Sequence, residues 1–139
     1  MPYNSQIHFG TNEEAGYVRN KLIAYNSVHG PRGIYEEVNL CLKNDNGDII
    51  AGLNSAVCWN WMEIEFLWVE EENRKNGIGK KLLAEAEKIA RSKNCTFIKL
   101  NTFSFQAPEF YKKYGYKEIA IIENAPLGCN HYYFKKDLI

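Results

Sequence analysis

Residues 61–93 read WMEIEFLWVEEENRKNGIGKKLLAEAEKIARSK, and this segment changes from the pattern of a strand to that of a helix. Its first part, Trp61–Val69, is rich in aromatic and branched side chains, which is typical of a strand. After Val69 the apolar residues recur at a spacing of three and four, which predicts an amphipathic helix to about Lys93. The apolar positions of this helix are Ile78, Leu82, Ala86 and Ile89.

A parallel crossover is expected here, because Thr96–Leu100 predicts another strand directly after the helix. Upstream, Glu37–Lys43 alternates between apolar and polar residues, and Asp45-Asn46-Gly47-Asp48 is a strong hairpin signal before Ile49–Trp59. These two segments predict antiparallel strands before Trp61–Val69. The sheet is therefore expected to be mixed.

The N-terminal segment is expected to hold a short strand and a helix. Gln6–Phe9 has the composition of a strand. Thr11 and Glu14 have the spacing of a capping box, and apolar residues then recur at helical spacing as far as Tyr25. A loop from His29 to Gly33 ends this helix.

The C-terminal segment predicts a short helix and a last pair of strands. Pro108 favours the start of a helix and Gly115 its end. Tyr116–Ile122 and Tyr132–Lys136 follow as strands. The aromatic residues of the last strand, Tyr132, Tyr133 and Phe134, either pair across a homodimer or close the sheet.

Composition limits the functions of the chain. Its 139 residues suit a single domain over 1–139, and 45% hydrophobic residues can fill a core. Seventeen basic residues balance seventeen acidic ones, whereas a protein that binds nucleic acid usually carries a basic excess. No long apolar run is present and residues 1–5 do not resemble a signal peptide, so we expect a cytoplasmic protein with no membrane and no nucleic-acid partner.

The cysteines and histidines do not predict a metal site or a disulfide. Cys41, Cys58, Cys95 and Cys129 form no CxxC pair and stand among apolar residues, so buried thiols are expected. The histidines are too scattered to supply metal ligands, and they stand at His8, His29 and His131.

The turn before the long helix, Arg74-Lys75-Asn76-Gly77-Ile78-Gly79-Lys80, has the composition of a phosphate cradle. Glycines let the backbone approach an anion, and the free amides of a first helical turn point towards it. Leu82 replaces the third glycine of a dinucleotide fingerprint, and the residues of a Walker loop are also missing. The alternative is that Gly77 and Gly79 only make a tight turn.

The same residues resemble a known signature. RxxGxG between the apolar strand end Phe66–Val69 and a helix resembles the acyl-CoA signature of the GNAT acetyltransferase superfamily. Downstream, Ala107–Tyr116 resembles the second signature of that family, an aromatic pair on a short helix followed by glycine and an aromatic residue. The resemblance implies a GNAT-like α/β (mixed α+β) domain with a mostly antiparallel sheet and helices on both faces.

The resemblance also implies acetyl-CoA as cofactor and places it residue by residue. The pantetheine arm would pair with the backbone of Leu67, Trp68 and Val69. The pyrophosphate would lie on the amides of Arg74, Lys75, Asn76, Gly77, Ile78 and Gly79, with Lys80 nearby.

Tyr111 matches the family position whose hydroxyl protonates the departing thiolate, although it could simply pack the short helix. Ser104 stands where the family often has an asparagine that contacts the cofactor.

Two glutamates are candidates for the general base, since an ammonium ion must lose a proton before it can attack. Glu63 and Glu65 alternate along Met62–Val69, opposite a face expected to carry Ile64, Phe66 and Trp68. Both match positions where family members hold a base, and Glu65 is preferred because it lies nearer the expected acetyl site. The alternative is that both belong to a solvated face of the sheet.

The acceptor is expected to be a primary amine of a small molecule or peptide, attacked directly in a ternary complex. The family's acceptor regions here hold Tyr25, His29, Arg32, Tyr35, Trp59 and Trp61, although large aromatics are more often core residues. A non-catalytic acyl-CoA-binding or sensing domain is the alternative, and an interaction module that binds no CoA is a third.

Overall fold

A six-stranded mixed sheet forms the centre of the structure, a computed structural model that describes residues 5–139. The strands are β1 (Tyr35–Lys43), β2 (Ile49–Cys58), β3 (Trp61–Val69), β4 (Phe97–Phe103), β5 (Lys117–Glu123) and β6 (Asn130–Asp137). Their order across the sheet is β1-β2-β3-β4-β6-β5. β3 and β4 are parallel and the other neighbours are antiparallel, which confirms the predicted mixed sheet.

Two helices accompany this sheet, and both were predicted. Helix α2 (Ile78–Ser92) connects β3 to β4, and α3 (Pro108–Lys113) follows β4. The apolar stripe of α2 is buried in one core cluster with residues of the central strands. That cluster includes Leu53, Met62, Ile64, Leu82, Leu83, Ala86, Ile98, Leu100 and Phe134.

A β-bulge interrupts β3 at Glu65. Asn54 of β2 pairs with Phe66 and Ser55 pairs with Ile64, so Glu65 is an extra residue on its strand. Such a residue shifts the alternation of side chains beyond it. Phe66 is exposed although Ile64 is buried, so the prediction that Ile64, Phe66 and Trp68 share a face is wrong.

The bulge lies where β3 parts from β4. The parallel ladder runs from Trp61 opposite Phe97 to Ile64 opposite Leu100, and Glu65 is the first residue of β3 beyond it. The strand continues to Val69, which still pairs with Ala51 of β2. From Glu65 to Val69, the backbone edge of β3 on the side of β4 therefore has no ladder with that strand.

The N-terminal unit, described from residue 5 to Gly33, is a compact unit distinct from residues 34–139. It contains helix α1 (Asn12–His29), whose capping box is confirmed: Thr11 Oγ1 accepts from the Glu14 amide at 3.1 Å, and Glu14 Oε1 accepts from the Thr11 amide at 2.9 Å. None of the residues of α1 is buried.

The predicted strand Gln6–Phe9 is wrong, because these residues have no regular secondary structure. A strand requires a neighbour, and the ladders described for residues 5–139 lie within β1–β6. Residues 1–4, part of the segment compared with a signal peptide, lie outside the described residues. Within the described chain, no helix has the length and apolar character needed to cross a membrane.

The last strand closes the sheet. β6 lies between β4 and β5 and pairs with both, so both of its backbone edges are occupied. The backbone of Tyr132, Tyr133 and Phe134 is therefore paired within the sheet, and a homodimer stays a prediction.

The cysteines are less buried than expected. Cys95 is buried, Cys58 and Cys129 are half-buried, and Cys41 is exposed. The expectation of a buried thiol is wrong for Cys41, because it lies on β1, one of the two edge strands of the sheet.

We expect substitution by alanine to lower the free energy of unfolding much more at a buried apolar position than at an exposed one. Leu53 is 0% exposed, so Leu53→Ala should lower the free energy of unfolding by about 2–5 kcal/mol through lost burial and a cavity. Ile119 on β5 is 55% exposed, and Ile119→Ala should cost less than about 1 kcal/mol. Urea unfolding of both variants measures the difference. Equal losses would contradict the assignment of the core.

Candidate active site

A cavity of about 840 Å³ opens where β3 and β4 diverge. Its walls are the end of β3, the turn into α2, the loop after β4, and α3. Its size is in the range of small-molecule and cofactor sites. The predicted cofactor residues that line it are Leu67, Trp68, Val69, Arg74, Lys75, Gly77, Ile78, Gly79, Lys80 and Tyr111.

The turn before α2 has the geometry of an anion cradle. Gly77 is the N-cap of α2 and has a left-handed backbone with φ 77°, which glycine adopts without strain. A Cβ atom built on Gly77 would have no heavy atom within 4 Å, so the space beside it is open. The amides of the first turn of α2 have no partner within the helix and stand at its positive end. A phosphate group fits this arrangement.

Arg74 ties the cradle to the strand before it. Its Nε donates a hydrogen bond to the carbonyl oxygen of Val69 at 3.0 Å. The turn between them contains one 3₁₀ turn, Glu71–Asn73. The cradle is thereby held at the open end of β3.

Gly79 has a different role from Gly77. A Cβ atom at Gly79 would lie 3.2 Å from Cζ of Phe110 on α3 and 3.9 Å from Cγ2 of Val69. The absence of a side chain therefore lets α2 approach α3 closely. Neither the approach of an anion nor a tight turn, the two roles predicted for Gly79, includes this contact with α3.

Tyr111 lies deep in the cavity wall. It is 7% exposed, and its ring packs against Phe110, Tyr116 and Phe134 with centroid distances of 5.2, 5.8 and 6.2 Å. Burial raises the pKa of the Tyr111 phenol to about 12. The hydroxyl is therefore protonated at neutral pH and can act as a proton donor.

The two candidate bases differ in their surroundings. Glu63 Oε1 lies 3.2 Å from Nζ of Lys99 on the neighbouring strand β4, which is an ion pair of the kind expected on a solvated face. Glu65 is the bulge residue at the point where β3 parts from β4. Neither carboxylate is among the groups that line the cavity. The structure thus brings Glu65 to the divergence of the strands and engages Glu63 with Lys99.

Two predicted cofactor contacts are not brought to the cavity wall. Ser104 Oγ accepts a hydrogen bond from the Asn130 amide at 3.0 Å, which joins the loop after β4 to β6. Asn76 lies in the cradle turn without lining the cavity.

The structure does not gather the predicted acceptor residues into the cavity. Trp61 stacks on Phe97 at 5.7 Å and lies 5.7 Å from Trp59, at the start of β3. Six residues of strand, about 20 Å, separate Trp61 from Leu67 in the cavity wall. Tyr35 pairs with Cys58 at the same far end of the sheet. These aromatics pack at the far end of the sheet because the divergence lies at the other end of β3.

The remaining three acceptor candidates belong to the N-terminal unit. Tyr25 and His29 are one turn apart on α1 and their rings lie 4.1 Å apart. Arg32 follows in the loop after α1.

Three residues of the cavity wall lie outside both the predicted site and the two signatures: Asn73, Phe105 and Gln106. The ring of Phe105 stacks on Phe103 at 5.4 Å. Gln106 Oε1 accepts a hydrogen bond from the Phe103 amide at 2.9 Å and thereby shapes the loop. Phe105 and Gln106 could have been predicted from their position, because they lie between the end of a predicted strand and the start of a predicted helix.

Comparison with known proteins agrees with this geometry. The model of the acetyltransferase (GNAT) family matches residues 12–116. Blasticidin-S acetyltransferase of Streptomyces morookaense is 36% identical over 95 residues, which cover 68% of this chain and 70% of that protein. An acetyltransferase of Agrobacterium fabrum is 31% identical over 102 residues, covering 73% of this chain and 74% of that protein.

A solved structure shows the same fold over almost the whole chain. The crystal structure of an acetyltransferase from Bacillus cereus has a TM-score of 0.91 and 42% sequence identity, and the match covers 96% of this chain and 97% of the other. The predicted family and fold class are thereby confirmed. The chain belongs to the GNAT acetyltransferase family, whose cofactor is acetyl-CoA.

Proposed function

We propose that this protein is an N-acetyltransferase that moves an acetyl group from acetyl-CoA to a primary amine by direct attack in a ternary complex. The observation that carries the proposal is the position of Tyr111, a buried and protonated phenol in a cavity that also contains an anion cradle and an open strand edge. A domain that only binds or senses acyl-CoA would not need a proton donor there.

Three parts of the cavity would hold the cofactor. The amides of the Gly77 turn and Lys80 would hold its pyrophosphate, and the free edge of Leu67–Val69 offers backbone partners for its pantetheine arm. When bound, acetyl-CoA supplies the acetyl group as a thioester. Beyond Ile64, β3 has no ladder with β4, so the arm would have backbone groups of β3 with which to pair.

Tyr111 would hold a proton at its hydroxyl and donate it to the leaving sulfur. A buried phenol with its pKa raised to about 12 keeps this proton at any physiological pH. Cys58 and Cys95 are poor alternatives as acetyl carriers, because burial raises the pKa of both thiols and leaves them protonated. These observations support direct attack by the acceptor amine.

Glu65 would accept the proton of the acceptor ammonium, directly or through water. Alkyl amines have a pKa of about 10 and are almost wholly charged at pH 7. The position of Glu65 at the point of divergence supports this role better than Glu63, which is paired with Lys99.

The acceptor is proposed to be a small molecule with a primary amine. This is supported by the likeness to a blasticidin-S acetyltransferase, which by its name acts on a small molecule. The four free thiols suit a reducing compartment, which supports the proposed cytoplasmic location. We also propose a single family domain over residues 1–139, because the family match spans both compact units.

The cradle predicts a specific loss of cofactor affinity. Gly77→Asn keeps the left-handed turn, which asparagine tolerates, but places a side chain in the open space beside the cradle. The Kd of CoA, measured by calorimetry, should rise by about tenfold or more. Gly47→Asn is a matched control, since Gly47 also has a left-handed backbone and an open Cβ position but lies in the β1–β2 turn. An unchanged Kd in a folded Gly77→Asn protein would show that the cradle is misassigned.

The proton donor predicts a selective loss of turnover. Tyr111→Phe keeps the buried ring and removes the hydroxyl, so kcat should fall by about 10²-fold or more while the KM of acetyl-CoA changes little. Tyr132→Phe removes a hydroxyl outside the cavity and should leave kcat unchanged. Because the pKa of Tyr111 is raised to about 12, wild-type kcat should not fall between about pH 9 and 10.5. Full turnover by Tyr111→Phe, with chemistry limiting the rate, would remove the residue from the mechanism.

If Glu65 is the general base, its substitution should change how the rate of acetylation depends on pH. Glu65→Gln should lose activity most at neutral pH, and its deficit should shrink as the pH approaches the amine's own pKa of about 10, where neutral amine is already present. Glu63→Gln should be milder, and Glu123→Gln on the edge strand β5 serves as a control. Rates of wild type and variants are compared from about pH 6 to 10 with one acetylated amine. A deficit that stays constant across this range would assign Glu65 to substrate binding instead.

A further inference from the structure

The core contains one acidic group that the proposed mechanism does not use. Glu87 on α2 is 8% exposed, and both of its oxygens are engaged. Lys136 Nζ of β6 donates to Oε1 at 2.8 Å, and the Tyr116 hydroxyl donates to Oε2 at 3.0 Å. Buried ion pairs contribute little to stability compared with apolar side chains of similar volume. Stability alone therefore does not explain these three side chains.

This network joins the two helices that form the walls of the cavity. Lys136 Nζ also donates to the carbonyl oxygen of Tyr114 at the end of α3, at 3.0 Å. The amide of Tyr116 donates to the carbonyl oxygen of Tyr111 at 3.1 Å. The Glu87 carboxylate on α2 thereby contacts Tyr116 directly and the carbonyl of Tyr114 through Lys136. Tyr116 in turn binds the carbonyl of Tyr111, so the whole segment Tyr111–Tyr116 is connected to α2.

The ring of Tyr116 is itself a wall for Tyr111. Tyr116 is 2% exposed, and the two rings meet edge to face with centroids 5.8 Å apart. Phe134 bounds the ring of Tyr111 on another side. Burial, followed by the charge of Glu87, raises the pKa of Tyr116, so its hydroxyl remains a donor to that carboxylate.

We propose that Tyr116 is a positioning residue for Tyr111: the Glu87–Lys136 pair fixes the Tyr116 hydroxyl, and the fixed Tyr116 ring sets the direction of the Tyr111 hydroxyl in the cavity. The inference rests on the proposed function, in which Tyr111 donates the proton. Proton transfer depends on the placement of the donor, and a displacement of about 1 Å can cost about 10²-fold in rate.

The test is a double-mutant cycle. Tyr116→Phe keeps the ring and removes its anchor, so kcat should fall by about tenfold while the KM of acetyl-CoA is unchanged. In a Tyr111→Phe background the same substitution should change kcat by less than about twofold, because no donor hydroxyl remains to be positioned. A merely structural role would lower kcat by the same factor in both backgrounds.

Two measurements on the free protein accompany the kinetics. Urea unfolding should show the same loss of stability from Tyr116→Phe in both backgrounds, in contrast to kcat. Hydrogen exchange should become faster in residues 108–116 and stay unchanged in the β1–β2 hairpin, which is the expected sign of a local release. Unchanged exchange in residues 108–116 would contradict the proposal.

The outcomes separate the inference from the proposed function. Wild-type kcat in a folded Tyr116→Phe protein, or equal losses in both backgrounds, overturns the positioning role and leaves Tyr111 as donor. Wild-type kcat in Tyr111→Phe overturns the donor and the positioning role together. If Tyr116→Phe does not fold, Glu87→Gln replaces it: the single amide oxygen accepts from Lys136, which can only donate, and the amide N–H2 donates to the Tyr116 hydroxyl. The carboxylate that anchors Tyr116 is lost, and kcat should fall by about threefold only when Tyr111 is present.

Discussion

The divergence of two parallel strands is the constraint on which the rest of the structure depends. The ladder between β3 and β4 ends at Ile64 and Leu100, and the bulge at Glu65 lies at that point. Backbone groups removed from water need partners, so a strand edge beyond a ladder is stable only where water or a ligand can reach it. The cavity provides that access, and most of the predicted cofactor residues line it because the strands separate there.

The long helix α2 serves both the core and the site. Its apolar stripe, including Leu82, Leu83 and Ala86, is buried in the core, while its first residues form the cradle. The core therefore fixes the direction of the amides that are proposed to bind the pyrophosphate. Gly79 extends this coupling to α3, because Phe110 packs where a side chain at that position would be.

The energetic effect of a charged side chain in this protein depends on how far it is buried. The Glu63–Lys99 pair lies on a solvent-accessible part of the sheet, where such a pair contributes about 0–1 kcal/mol. Each member of the Glu87–Lys136 pair is less exposed than its counterpart, with side chains 11% and 24% exposed, and removing one partner there leaves a charge without compensation. Burial also raises the pKa of the Tyr111 phenol to about 12, so the effect that costs free energy at Glu87 strengthens the hold of the proposed donor on its proton.

Features that depend only on residues close together in the chain could be predicted from the sequence alone. The change of apolar spacing after Val69, the capping box at Thr11 and the glycine turn at Gly77 are local, and α2 and the capping box were confirmed. The facing of residues beyond Glu65 was decided only by the tertiary structure, because a bulge requires a partner strand. The network of Glu87 was also beyond local patterns, since its partners Tyr116 and Lys136 are 29 and 49 residues away along the chain. Periodicity reports which face of an element is buried, whereas contacts across the core depend on how separate elements pack together.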